Sequence, residues 1–171
     1  MKKNNLIFIG LILLAGMIRM IPHPWNFTPL LAVCIFSGTK IKHNGLAIFL
    51  PLVAIFIGDL FLGIYSSMVW VYSGYILVIL LSRILGNSKS INSKIISVVS
   101  GSLIFFIISN FGVWISGTMY SMNFQGLIEC YIAGIPFYKN TLIGTIIYSS
   151  IFFGIAEIIE RNLIQIATIK S

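Results

Sequence analysis

Gly45-Leu-Ala-Ile-Phe-Leu-Pro-Leu-Val-Ala-Ile-Phe-Ile-Gly-Asp-Leu-Phe-Leu-Gly-Ile64 holds one charge, Asp59, and one proline, Pro51. As a helix rising about 1.5 Å per residue, such a run reaches about 30 Å, the depth of a bilayer's hydrocarbon layer. Its apolar residues do not alternate with polar ones, so a half-buried strand is excluded. On either side of it, comparable runs lie at 6–21, 28–41, 68–85, 94–115 and 140–159. The expected fold is all-α: a polytopic membrane helical bundle of about six transmembrane helices in one domain, 1–171. The run at 28–41 is short for a span.

Composition agrees. The chain is 58% hydrophobic and 9% charged, whereas a soluble domain carries about 25% charged residues. So few charges cannot cover a water-facing surface, and the expected partner is a lipid bilayer. The net charge of +7 does not indicate nucleic acid, because the basic residues stand singly or in pairs between apolar runs. With six spans and both ends inside, Lys2, Lys3, Lys40, Lys42, Arg83, Lys89, Lys94, Arg161 and Lys170 fall in the cytoplasm. Only Arg19 and Lys139 fall outside. This bias is the one that orients membrane proteins, and it vanishes if the run at 28–41 does not cross. Met1-Lys2-Lys3 before an apolar run also opens signal peptides, but Arg19 stands where the cleavage site should be, so a retained first helix is expected.

Between the first two runs lies Pro22-His23-Pro24-Trp25-Asn26-Phe27-Thr28-Pro29. Its three prolines forbid a regular helix, and Thr28 followed by Pro29 reads as a helix N-cap and first helical position. Between the last two runs lies a connection of some 20 residues, with Met119, Tyr120, Glu129 and Gly134-Ile135-Pro136-Phe137.

Polar residues inside a bilayer are costly, about 2.5–3.5 kcal/mol per charge on insertion scales, so each needs a reason. Glu157, Glu160 and Arg161 read as groups at the membrane edge. Arg19 and Asp59 both fall in the outer half and have opposite charge, suiting an ion pair between the first and third helices, a polar cavity wall, or both. Asn110 and Trp114 are four apart and share a helix face. His23, Trp25, Asn26 and Thr28 in the first outer loop, with Tyr120 and Glu129 in the last, lie at the same depth. Read singly, the aromatic residues form an interfacial belt. Taken together, Arg19, His23, Trp25, Asn26, Thr28, Asp59, Asn110, Trp114, Tyr120 and Glu129 are the candidate ligand-binding residues of an outer cavity.

No catalytic, metal or nucleotide motif stands out, so an enzyme is not expected and no cofactor is assigned. His23 and His43 fall on opposite sides of the membrane. Cys34 and Cys130 read as small apolar residues rather than a disulfide.

The stretch Arg19-x-x-Pro22-His23-x-x-Asn26-Phe27-x-Pro29, with Pro51, Gly58-Asp59, Gly63, Trp114, Tyr120, Gly126 and Ala133-Gly134-Ile135-Pro136-Phe137, resembles a family of small, uncharacterised bacterial membrane proteins. That likeness implies a multi-pass protein of the bacterial cytoplasmic membrane. More loosely, the loop at 22–29, the Asn-Phe-Thr-Pro entry to the second helix and Gly58-Asp59 look similar to the substrate-binding S components of energy-coupling-factor transporters. This second likeness implies a six-helix subunit that binds a vitamin-like small molecule under its first loop and works with a separate ATP-driven module. Helix one carries Gly10, Ala15 and Gly16 instead of the alanine-rich small-x-x-x-small face of those components. The expectation is thus a small-solute binding and uptake subunit, against the alternative of an MreD-like envelope scaffold in which Arg19 and Asp59 serve packing only.

Overall fold

The structure, a computed structural model, describes residues 3–18, 24–86, 90–117 and 119–169. Six helices follow one another: α1 (Lys3–Ile18), α2 (Leu30–Lys40), α3 (Asn44–Leu62), α4 (Met68–Leu85), α5 (Ile91–Ile115) and α6 (Phe124–Ile169). No strand occurs among the described residues. The chain is an all-helical bundle, and α3, α4, α5 and α6 are long and apolar enough to cross a membrane. The helices at 3–18 and 30–40 are shorter apolar elements.

Successive helices run antiparallel. Phe8 of α1 meets Phe36 of α2 edge to face at 5.4 Å, and the Ser37 hydroxyl donates to the Ala47 carbonyl on α3 at 2.8 Å. The Tyr72 hydroxyl of α4 donates to Asp59 Oδ2 of α3 at 2.7 Å, and Trp70 lies on Phe111 of α5 at 5.0 Å. On α6, Tyr131 donates to the Ile107 carbonyl at 2.8 Å, and Lys94 sits 5.1 Å from the Phe153 ring centre. One end of the bundle therefore carries Lys40, Arg83 and Glu160. The opposite end carries Trp25, Asn110 and the start of α6.

The shortest helix is central. Leu30 through Gly38 of α2 are all buried, and α2 packs against each of the other five helices. A helix that is apolar all round finds partners on every side only in such a position. Gly38 permits a close approach to α4: a Cβ there would stand 2.4 Å from the Ile79 carbonyl oxygen. The far end of α2 is closed by charge. Arg83 donates to the Ile41 carbonyl at the C-cap at 2.8 Å, an acceptor that a helix C-terminus leaves open, and also to the Lys42 carbonyl just beyond it. Lys40 Nζ meets Glu160 at 2.8 and 3.0 Å. Arg83→Leu should strand those carbonyls and lower unfolding stability by about 1–3 kcal/mol, as a denaturant titration of the purified chain would show. Glu160→Gln in the same assay should cost about 1 kcal/mol or less, because its partly exposed pair is screened.

Two expectations change. Thr28 does not cap α2: Pro29 occupies the cap position, with no side-chain bond, and its carbonyl accepts from Val33 N at 2.9 Å. The connection read before residue 140 is helical, so α6 is 46 residues long. Asn123 starts it, its side-chain oxygen accepting from Gly126 N at 2.8 Å and its carbonyl from Leu127 N at 3.1 Å. Gly134 and Pro136, placed in that connection, are absorbed into the helix. Gly134 lies against Asn110 and Phe106 of α5, while Pro136 faces outward, away from the packed side. At about 1.5 Å per residue α6 measures about 69 Å, more than twice a hydrocarbon layer, so it overreaches the bundle. Lys139, expected in a loop, is an exposed residue of this helix.

Candidate functional site

The shortness of α2 leaves room above it. Eleven residues rise about 16 Å, roughly half of a bilayer's apolar depth, whereas α4 and α5 continue past its first residue. The space left over is a cavity of about 750 Å³, within the range that takes a small organic molecule. Leu30 and Leu31 at the start of α2 form its floor. Its walls come from Val71 and Tyr75 of α4, from Phe105, Ser109 and Asn110 of α5, and from Cys130, Ala133 and Thr141 of α6.

The turn before α2 borders the cavity with Trp25, Asn26 and Thr28. Phe27 N donates to the Pro24 carbonyl at 3.0 Å, closing a four-residue turn in which Asn26 takes φ +58°. Asparagine is among the few residues that accept this left-handed conformation readily. Two ties hold the turn to α6. Asn140 Nδ2 donates to the Trp25 carbonyl at 3.0 Å, and Phe27 packs on Tyr148 at 5.8 Å. Trp25 itself is 80% exposed, with its ring 6.4 Å from Phe137.

On α5, Asn110 Nδ2 donates to the Phe106 carbonyl one turn earlier at 2.8 Å. Only the amide NH₂ can face a carbonyl, so the side-chain oxygen Oδ1 must face the other way. It lies against Gly134, where a Cβ would stand 2.4 Å from it. Gly134→Ala should push Asn110 aside, lowering stability by about 1–3 kcal/mol and weakening any ligand held there. Thermal unfolding with and without ligand separates the two effects.

Of the candidate residues, Trp25, Asn26, Thr28, Asn110 and Tyr120 come together around this cavity. Arg19 and His23 lie outside the described residues. Asp59, Trp114 and Glu129 are not brought to the cavity. Asp59 is buried between α3 and α4, where it accepts from Tyr72. The Trp114 indole donates to the Ser121 carbonyl at 3.0 Å and fastens the α5–α6 connection. Glu129 is exposed on α6 and accepts from Gln125 at 3.0 Å, so it points off the packed face. The residues missed are mainly apolar and aromatic, such as Tyr75, Phe105 and Phe137, whose sequence signal is that of any packed helix. Cys130 and Ala133 were missed because their segment read as a connection. Asn123, three residues before Gly126, was the overlooked sign that a helix begins there.

No curated protein and no solved structure matches the chain significantly. A family model matches residues 1–167, and the chain belongs to that family, which is described as a family of unknown function, DUF6580.

Proposed function

We propose that the chain is a solute-capture subunit of a bacterial cytoplasmic membrane, similar in role to the S components of energy-coupling-factor transporters. A small, vitamin-like molecule enters from the outer side, rests on the floor formed by α2 under the turn at 24–28, and passes to a separate ATP-driven module. The role is binding, not catalysis. The observation that carries this reading is the cavity itself: about 750 Å³ of space, at the depth where the central helix stops, with polar groups set in an apolar wall.

Ligand binding to the folded state raises stability by mass action, by about 2.7 kcal/mol at a hundred times Kd. The melting temperature of the purified full chain should therefore rise in the small-molecule fraction of its growth medium. An unchanged melting temperature at saturating extract concentration argues against capture. Orientation is tested by placing a cysteine at Ser88, which should react with an impermeant reagent only from the cytoplasmic side.

A second reading, an envelope scaffold without ligand, is favoured by one observation. Asp59 is 1% exposed, bonded to Tyr72 across the α3–α4 pair, and away from the cavity lining. If the chain is only a scaffold, Asp59→Asn lowers the folded amount, the charge-swapped pair Arg19→Asp with Asp59→Arg restores it, and no cavity substitution has a phenotype of its own.

A further inference from the structure

The cavity's chemistry narrows the class of solute, an inference that rests on the capture role proposed above. Among the described residues that line it, none is Asp, Glu, Lys, Arg or His. Against these described faces a charged solute gives up its hydration without an opposite charge in return, a large cost in apolar surroundings. An uncharged solute avoids that cost.

The wall is also aromatic from every side. Trp25, Tyr65, Tyr75, Phe105, Tyr120 and Phe137 border the cavity, and each comes from a different helix or connection. Tyr75 and Phe105 stack with centroids 4.8 Å apart and planes 22° from parallel. Flat faces of this kind gain most from a flat ring placed against them in offset or edge-on geometry.

The third constraint is the polarity of Asn110. Its donor is spent on the Phe106 carbonyl, and its acceptor Oδ1 has no hydrogen-bond partner among the described residues. That oxygen stands at the α5–α6 contact, beside the bare backbone of Gly134. An acceptor fixed in this way selects a donor. We infer that the cavity takes an uncharged, flat, ring-bearing solute with an N–H or O–H group, and that this group donates to Asn110 Oδ1.

Four probes of nearly one shape test this on the full chain in nanodiscs, by saturable ligand-observed NMR against empty nanodiscs. Benzamide is neutral with N–H donors, benzoate is an anion, benzamidine is a cation, and methyl benzoate is neutral without a donor. Benzamide should bind at least about tenfold more tightly than each of the others, the ratio expected when a buried acceptor or charge is left unpaired. Asn110→Ala should erase that preference. Asn110→Asp should transfer it to benzamidine, a change that a purely structural asparagine would not produce. Benzoate, benzamidine or methyl benzoate binding as tightly as benzamide to the unaltered chain overturns the solute class while leaving capture standing. No saturable binding by any of the four also overturns the solute class, while capture itself stands or falls on the melting temperature in the growth-medium fraction.

Discussion

Ala133→Trp lowers solute retention by the full chain at least about tenfold, while its melting temperature moves by no more than a few degrees. Ala133 lines the cavity and is exposed, so a larger side chain there has space to enter without displacing packed neighbours. Surface changes of this sort cost within about 0.5 kcal/mol. The indole would fill the volume that the solute needs. Retention is read by equilibrium dialysis of the small-molecule fraction against the chain in nanodiscs. Equal retention by the variant and the unaltered chain would place any binding elsewhere.

The second large effect concerns the scaffold. Gly38→Ala should lower the melting temperature by about 6–12 °C, following from about 3 kcal/mol of overpacking in a chain of this size. The added Cβ would stand 2.4 Å from the Ile79 carbonyl oxygen and 3.2 Å from Ser82 Cβ. A carbonyl in a helix cannot swing aside as a side-chain tip can, so α4 itself must move. Because α2 packs on every other helix, that shift spreads through the bundle and into the cavity floor. Gly154→Ala is the natural comparison, since a Cβ there meets nothing within 4 Å. It should hold or raise the melting temperature, alanine being the better helix former by about 1 kcal/mol. Equal losses in both variants would show that the close α2–α4 approach is not what Gly38 provides.

The helices were legible where apolar length alone decides. The run at 68–85 coincides with α4, and those at 45–64 and 94–115 differ from α3 and α5 by a few residues. Segment 124–139 was not legible, because Gly134 and Pro136 carry a local signal that tertiary packing overrides. Gly134 is small so that α5 can approach, and Pro136 lies on the outward side, where its missing N–H disturbs no packed face. The run at 28–41 is short because α2 stands inside the bundle, a position that no single-helix pattern reveals. At the site, the polar residues of the turn and Asn110 were readable because polar groups are rare in so apolar a chain. Asp59 was equally conspicuous, yet its buried bond to Tyr72 places it in the α3–α4 contact. Depth along a helix can be counted from sequence, but the direction in which a side chain faces depends on the neighbours.

In the capture role proposed above, the space over α2 holds one small molecule. Native mass spectrometry of the full chain, released from nanodiscs after exposure to the small-molecule fraction, tests it most directly. A single added mass of one small molecule per chain is expected in the unaltered protein, and its loss in Ala133→Trp. A bare mass in both proteins, or the same adduct in both, would contradict it.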